Sequence, residues 1–153
     1  MRLFVGKLPV VADFVGFQIL WWACILGGAN QVFYPSVIAF VGYVALHIIF
    51  ITKRPPRWQG MILLGFAGFV VDTLLIQSGI LTYPGGEVSP GAEAGLLLTP
   101  LWIIILWLGL GFSAQSSLSW MMGRPILAFA LFGISGAMSY RAGIGFEAAS
   151  MPI

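Results

Sequence analysis

The sequence has very little charge. Only 8% of its 153 residues are Asp, Glu, Lys or Arg, whereas a soluble domain carries about 25%. Hydrophobic residues make up 59% of the chain, and its mean hydropathy is +1.00. A chain of this composition cannot cover a water-soluble globule with polar side chains. The sequence therefore predicts a membrane protein, with residues 1–153 forming a single polytopic domain.

Residue types that build functional sites in soluble proteins are also scarce. The chain has one cysteine, Cys24, and one histidine, His47, so it cannot form an internal disulfide and lacks the usual ligand set of a zinc site. Its net charge of +2 is too small and too scattered for nucleic-acid binding. No phosphate-binding loop, dinucleotide-binding glycine pattern or haem-attachment motif is present. We therefore predict no metal, no cofactor and no nucleic-acid partner.

Long charge-free runs divide the chain into membrane spans. Residues 14–52 and 94–123 contain no Asp, Glu, Lys or Arg, and a helix needs about 20 mostly apolar residues to cross a bilayer. Turns rich in glycine and proline separate the runs. The tail after the last span either extends its helix, folds back as a sixth short or re-entrant helix, or is unattached. The predicted fold class is an all-α membrane protein, a compact bundle of five transmembrane helices over residues 9 or 14–29, 36–52, 58–79, 98–121 and 125–140.

The positions of lysine and arginine predict the orientation. Arg2 and Lys7 precede the first span, the basic cluster at 53–57 separates the second and third, and Arg124 separates the fourth and fifth. Positive residues favour the cytoplasmic side of a membrane. We therefore expect a multi-pass protein of the bacterial inner membrane, with a cytoplasmic N-terminus and a periplasmic loop over residues 83–95.

One acidic residue lies in the middle of a span. Asp72 belongs to the segment GFVVDTLLIQSG, residues 68–79, and shares a helical face with Gly65, Gly68 and Gly79. A stripe of glycines lets another helix approach closely, so Asp72 should face the bundle interior. An ionisable residue inside a membrane is a functional-site hypothesis by default. The alternative is that Asp72 only joins two helices by a hydrogen bond.

Arg141 is the expected partner of Asp72. It is the one basic residue that breaks the orientation pattern. At a rise of about 1.5 Å per residue, Asp72 would lie roughly 20 Å above the start of its span and Arg141 roughly 24 Å above the start of its own. The two charges would then meet at one depth. The alternatives are that Arg141 pairs with Glu147 or extends to the lipid head groups.

Further polar residues cluster in the segment GFSAQSSLSW of the fourth span. Four of its residues follow the spacing i, i+3, i+4, i+7 and would share one helical face, with Gln115 on the other side. Gln18, His47 and Gln115 all fall in the predicted cytoplasmic half. No Ser-His-Asp triad is expected, because Asp72 lies too far outward to orient His47. The candidate ligand-binding residues are Asp72, Arg141, Ser113, Ser116, Ser117, Trp120, Gln18, His47 and Gln115.

The chain resembles a family of small bacterial inner-membrane proteins known as domain of unknown function 2878. The matching stretches are FQILWWACILGGA, GFAGFVVDTLLIQSGIL, PLWIIILWLGLGFSAQSSLSW and GAMSYRAGIGFEAA. Asp72 matches the family's aspartate. The family more often has threonine, leucine, asparagine and histidine where this chain has Ser113, Ala114, Gln115 and Ser116. A catalytic or proton-carrying role of that histidine would therefore be absent here or supplied by another residue. The resemblance supplies no activity, but an association of such proteins with lipid-modifying enzymes directs the expected ligand toward lipids.

Three functions follow from these observations. The first is a helical bundle that binds or moves a small amphipathic or lipid-derived molecule through a polar interior site. The second is an integral-membrane enzyme, or a subunit of one, that acts on lipids. The third is a scaffold whose polar residues only pack helices. A pocket of several hundred Å³ that reaches Asp72 would favour the first two, and acid/base partners within hydrogen-bond reach of Asp72 would favour the enzyme. The expected partners are membrane lipids, the ligand, and a second copy of the chain or a membrane enzyme.

Overall fold

The computed structural model describes residues 8–51, 58–84, 98–121 and 123–151. Within these ranges the chain is helical, and its one β-type pairing is an isolated bridge between Thr82 and Ser150. The all-α prediction is therefore confirmed. The five helices are α1 (Leu8–Ala29), α2 (Tyr34–Leu46, continued by a π-helical turn over His47–Ile51), α3 (Trp58–Gln77), α4 (Leu101–Ser113) and α5 (Pro125–Gly145).

Four of these helices are long and apolar enough to cross a membrane: α1, α2 together with its π-helical turn, α3 and α5. Their outer faces carry large exposed apolar side chains, such as Phe50, Leu63, Ile126 and Phe129. In water such faces would be unstable, whereas lipid accommodates them. The chain is thus a multi-pass membrane protein. The basic residues at 2, 7 and 53–57 and most of the loop at 83–95, on which the predicted orientation depends, lie outside the described residues.

The fourth helix is shorter than predicted. The sequence predicts helix over 98–121, but α4 ends at Ser113 and covers 13 residues, or about 20 Å. Serine side chains compete with the helical backbone for hydrogen bonds. The hydroxyl of Ser116 accepts from the backbone N–H of Ser117, and Ser119 Oγ donates to the carbonyl of Ser116. A short 3₁₀ segment, Ser119–Met121, follows. The four residues predicted to share one helical face therefore do not share one.

Glycines bring α4 close to its neighbours. A Cβ on Gly68 of α3 would overlap the Trp107 ring, and a Cβ on Gly111 of α4 would come 2.6 Å from the backbone of Met61 on α3. The expected glycine stripe beside Asp72 is thus confirmed at Gly65 and Gly68, where α4 side chains occupy the space. Gly79 lies beyond the helix, in open space with φ +72°, and supplies the left-handed residue that ends α3.

Helix α5 packs more loosely than the others. Its only fully buried residue is Gly143, and a Cβ on Gly133 or Gly136 would meet no atom within 4 Å. The helix is attached mainly near its C-terminus, where Trp21 Nε1 donates to Ser139 Oγ at 2.8 Å. The tail extends α5 to Gly145 and then turns back to form the bridge with Thr82. The middle of α5 consequently stands apart from α1 and α4 and leaves a cavity between them.

Candidate functional site

Asp72 is fully buried near the end of α3 and accepts hydrogen bonds from three side chains. The hydroxyls of Tyr83 and Tyr140 both donate to its Oδ1 at 2.8 Å, and the indole N–H of Trp107 donates to its Oδ2 at 2.8 Å. The donors come from three different parts of the chain: the segment after α3, α4 and α5. A carboxylate that is only an acceptor suits this arrangement, because every group facing it is a donor.

Tyr83 is the one member of this cluster outside the helices. It is buried and packs edge-on against Trp102, with ring centroids 5.5 Å apart. Burial raises the pKa of the Tyr83 hydroxyl, and the neighbouring Asp72 carboxylate raises it further. The hydroxyl therefore keeps its proton and remains a donor to Asp72.

Arg141 does not pair with Asp72. Between described residues, the only ion pair joins His47 and Asp13, and Arg141 is exposed. Its neighbour Tyr140 occupies the position expected of Arg141. Consecutive helical residues point about 100° apart, so the two side chains cannot both face α3. The depth predicted for Arg141 therefore fits Tyr140, whereas the helical phase turns Arg141 away from Asp72.

A cavity of about 470 Å³ lies beside this cluster. Its wall is formed by α1, α4 and α5, with Asp72, Tyr83 and Ala149 at one end. Of the lining side chains that the structure describes, seven are aromatic and only Asp72 is charged. Gln18, Ser135 and Ser139 add polar atoms on α1 and α5. The volume lies in the range of small-molecule sites, which are mostly apolar with a few polar groups.

A second buried carboxylate, Asp13, is the centre of a separate cluster. This cluster lies near the N-terminal end of α1, away from Asp72. His47 Nε2 donates to Asp13 Oδ1 at 2.5 Å, and Tyr43 OH donates to the same oxygen at 2.6 Å. The backbone N–H of Ser117 donates to Oδ2 at 3.0 Å. Asp13, Tyr43, His47 and Ser113 are all buried. This Asp13 cluster joins α1, α2 and the end of α4.

The Asp13 cluster does not have the order of a catalytic triad. Tyr43 has one proton, which goes to Asp13, so the 2.7 Å contact between Tyr43 and Ser113 must use the serine proton. In a triad the serine proton passes to the imidazole. Here it points to a tyrosine instead, and Asp13 holds both the tyrosine and His47. The arrangement is suited to fixing three helices.

The predicted candidates divide between the two clusters. Asp72 and Gln18 line the cavity. His47, Ser113 and Ser117 belong to the Asp13 cluster. Ser116 lies beside that cluster, and Gln115 donates to the carbonyl of Gly111 at 2.9 Å. Trp120 and Arg141 are exposed. Ligand binding by all nine residues stays a prediction.

The sequence reasoning missed Asp13 and the three donors to Asp72. The sequence does contain a signal for the Asp13 cluster. Asp13 is a second acidic residue within an apolar helix, and the next helix contains the single histidine, His47. No local pattern marks Tyr83, Trp107 and Tyr140, because they converge only in the folded chain.

Comparison with known proteins adds one finding. The model of a family described as "Protein of unknown function (DUF2878)" matches residues 10–153. No curated protein and no solved structure matches the chain.

Proposed function

We propose that this chain, which belongs to the family described as Protein of unknown function (DUF2878), binds or moves a small amphipathic or lipid-derived molecule in the cavity beside Asp72. The observation that carries the proposal is the 470 Å³ cavity, whose wall is mostly apolar but includes the buried carboxylate of Asp72. An amphipathic molecule likewise combines an apolar part with a polar one. A scaffold would be expected to fill this space with side chains, because protein interiors are otherwise closely packed.

The attachment of α5 supports this proposal. The helix is held by Trp21, Asp72 and the bridge at Thr82, all near its C-terminus. Its middle, around Gly136, has open space beside it. A molecule that lies against α1 and α4 would find room there without breaking those contacts.

We also propose that the protein resides in the bacterial inner membrane with a cytoplasmic N-terminus. The support is the distribution of lysine and arginine along the sequence, since positive residues favour the cytoplasmic side. With this orientation, Asp13 lies in the cytoplasmic half and Asp72 in the outer half.

A matched pair of variants tests the binding proposal. Gly136→Phe adds a ring at the cavity wall, where a Cβ meets no atom within 4 Å. Gly133→Phe adds the same ring on the same helix, also in open space, at a residue that does not line the cavity. Small molecules that co-purify with the protein are extracted and identified by mass spectrometry. We expect Gly136→Phe to lose a molecule that wild type and Gly133→Phe retain. The same bound molecules in all three proteins would contradict the proposal.

The second candidate function is an integral-membrane enzyme that acts on lipids. The observation that favours it is the pair of tyrosine hydroxyls, each 2.8 Å from Asp72 Oδ1, at the end of the cavity. Tyr140→Phe removes one hydroxyl and keeps the ring. For an enzyme, cells with this variant should lack a lipid product that cells with wild type contain, as measured by mass spectrometry. Identical lipid profiles, together with unchanged ligand binding, would exclude the enzyme and leave binding as the remaining proposed function.

A further inference from the structure

The described part of the cavity wall carries a single negative charge. Among the lining residues that the structure describes, Asp72 is the only ionisable acid or base apart from the two tyrosines that donate to it. The arginine expected to balance it, Arg141, is exposed and does not line the cavity. Among the residues that the structure describes, no lysine, arginine or histidine lines the cavity. The described groups that contact the Asp72 carboxylate are neutral donors.

An anionic ligand does not fit this balance. A carboxylate or phosphate head group near Asp72 would meet a like charge, and the described wall residues include no cation to offset the repulsion. Asp72 itself is fully buried, and salt screens the charge of a buried group only weakly. A neutral head group would meet no repulsion, and a cationic one would be attracted.

The hydrogen-bonding capacity of the cluster agrees with the charge. Tyr83, Tyr140 and Trp107 each donate their proton to Asp72. The indole has no further donor or acceptor, but each phenol oxygen keeps lone pairs that accept hydrogen bonds. All three side chains also belong to the cavity wall. A ligand that reaches this end of the cavity therefore meets acceptors, with a negative charge directly behind them.

The aromatic side chains add to the same preference. Trp21, Trp102 and Trp107 line the cavity together with four phenylalanine and tyrosine side chains. An organic cation is attracted to aromatic rings, and most strongly to tryptophan. Aromatic rings with one carboxylate are a combination that suits an ammonium group carrying apolar substituents.

Resting on the proposed function, we infer that the cavity selects amphipathic molecules whose head group is an amine or quaternary ammonium. Asp72 provides the charge through its shell of Tyr83 and Tyr140, and the apolar body of the ligand lies between α1, α4 and α5. The sequence instead predicts that Asp72 is paired with Arg141.

Three probes with the same chain length test the inference: dodecyltrimethylammonium, dodecanol and dodecanoate. Each is titrated into the purified full-length protein in phosphatidylcholine nanodiscs, and tryptophan fluorescence reports binding, because three tryptophans line the cavity. Empty nanodiscs and the Gly136→Phe variant give the signal from partition into the bilayer. We expect wild type to bind the ammonium at least tenfold more tightly than the alcohol, and the carboxylate most weakly. The comparison within wild type does not depend on whether any Asp72 variant folds.

The Asp72→Asn variant then tests whether Asp72 causes the preference for the ammonium probe. We expect its affinity for the ammonium to fall at least tenfold, with little change for the alcohol. An ammonium preference that survives in a folded Asp72→Asn protein would overturn the inference. So would equal binding of all three probes, or tightest binding of the carboxylate. In those cases the proposed function stands if Gly136→Phe blocks saturable binding and Gly133→Phe does not. If no probe binds wild type saturably, both the inference and the proposed function are wrong.

Discussion

The Asp13 cluster should contribute more to stability than any other polar contact described here. Asp13 and His47 are both buried, and their Nε2 to Oδ1 distance is 2.5 Å. Removing one member of a buried pair leaves the other poorly compensated, which typically costs about 3–5 kcal/mol. Asp13→Asn and His47→Gln should each lower the free energy of unfolding by an amount in this range. His47→Gln should fall toward the lower end, because Tyr43 and the Ser117 N–H still donate to the carboxylate.

The double variant measures the interaction between Asp13 and His47 separately from the contacts that each residue makes with its other neighbours. Asp13→Asn combined with His47→Gln should cost less than the sum of the single variants, by about 1–3 kcal/mol, since residues in direct contact couple by this amount. The measurement is reversible unfolding of the purified protein in mixed micelles, followed by tryptophan fluorescence. Each single variant and the double variant are compared with wild type under the same conditions.

Arg141→Gln is the control for this cycle. Arg141 is charged and also lies on a long helix, but it is exposed and has no ion pair with another described residue. Exposed pairs are worth under about 1 kcal/mol, so this variant should unfold nearly as wild type does, and its effect should add to that of Asp13→Asn. Strictly additive losses for Asp13→Asn and His47→Gln would refute the reasoning. A large loss for Arg141→Gln would show that the revised assignment of its role is wrong.

Two further predictions concern packing and orientation. Gly68→Ala should destabilise the protein by about 1–3 kcal/mol, because its Cβ would overlap the Trp107 ring. Gly60→Ala is the control, since Gly60 lies on the same helix in open space, and it should not destabilise the protein. Equal melting temperatures of the two variants in detergent would contradict this prediction. In a background without the native cysteine, an exposed Ser150→Cys should react with an impermeant thiol reagent added outside intact cells, whereas Ser119→Cys should react only after lysis. The reverse pattern would invert the proposed orientation.

The helices were predictable because lipid imposes a simple rule on sequence. Every backbone polar group in a bilayer must be paired within the chain, so long apolar runs between turn residues become helices. The start of α5 at Pro125 follows this rule. The end of α4 does not, because serines offer the backbone alternative partners. The charge content does not indicate the early end of α4, because residues 113–121 are as free of charge as the rest of the run.

The partners of the buried carboxylates were less predictable. The interior position of Asp72 followed from its glycine neighbours, which is information within one helix. Its donors lie 11, 35 and 68 residues away along the chain. Charge complementarity favoured Arg141 as the partner, but three neutral donors can satisfy a carboxylate as well as one cation does. Opposite charge is therefore a weak guide to pairing when tyrosine and tryptophan lie at the same depth.

The two carboxylates differ in which helices they join, and this difference bears on function. Asp13 takes its donors from α2 and the end of α4, which pack directly against α1. Its bonds therefore reinforce contacts that glycine and apolar packing already make. Asp72 instead reaches α5 through Tyr140, across the side of the bundle where packing is open. A molecule that fills the cavity must lie against the same helix that this bond holds, so binding and the attachment of α5 share one hydrogen-bond cluster. A molecule bound in the cavity as proposed would therefore act on the bundle at the Asp72 end, and not at the Asp13 end.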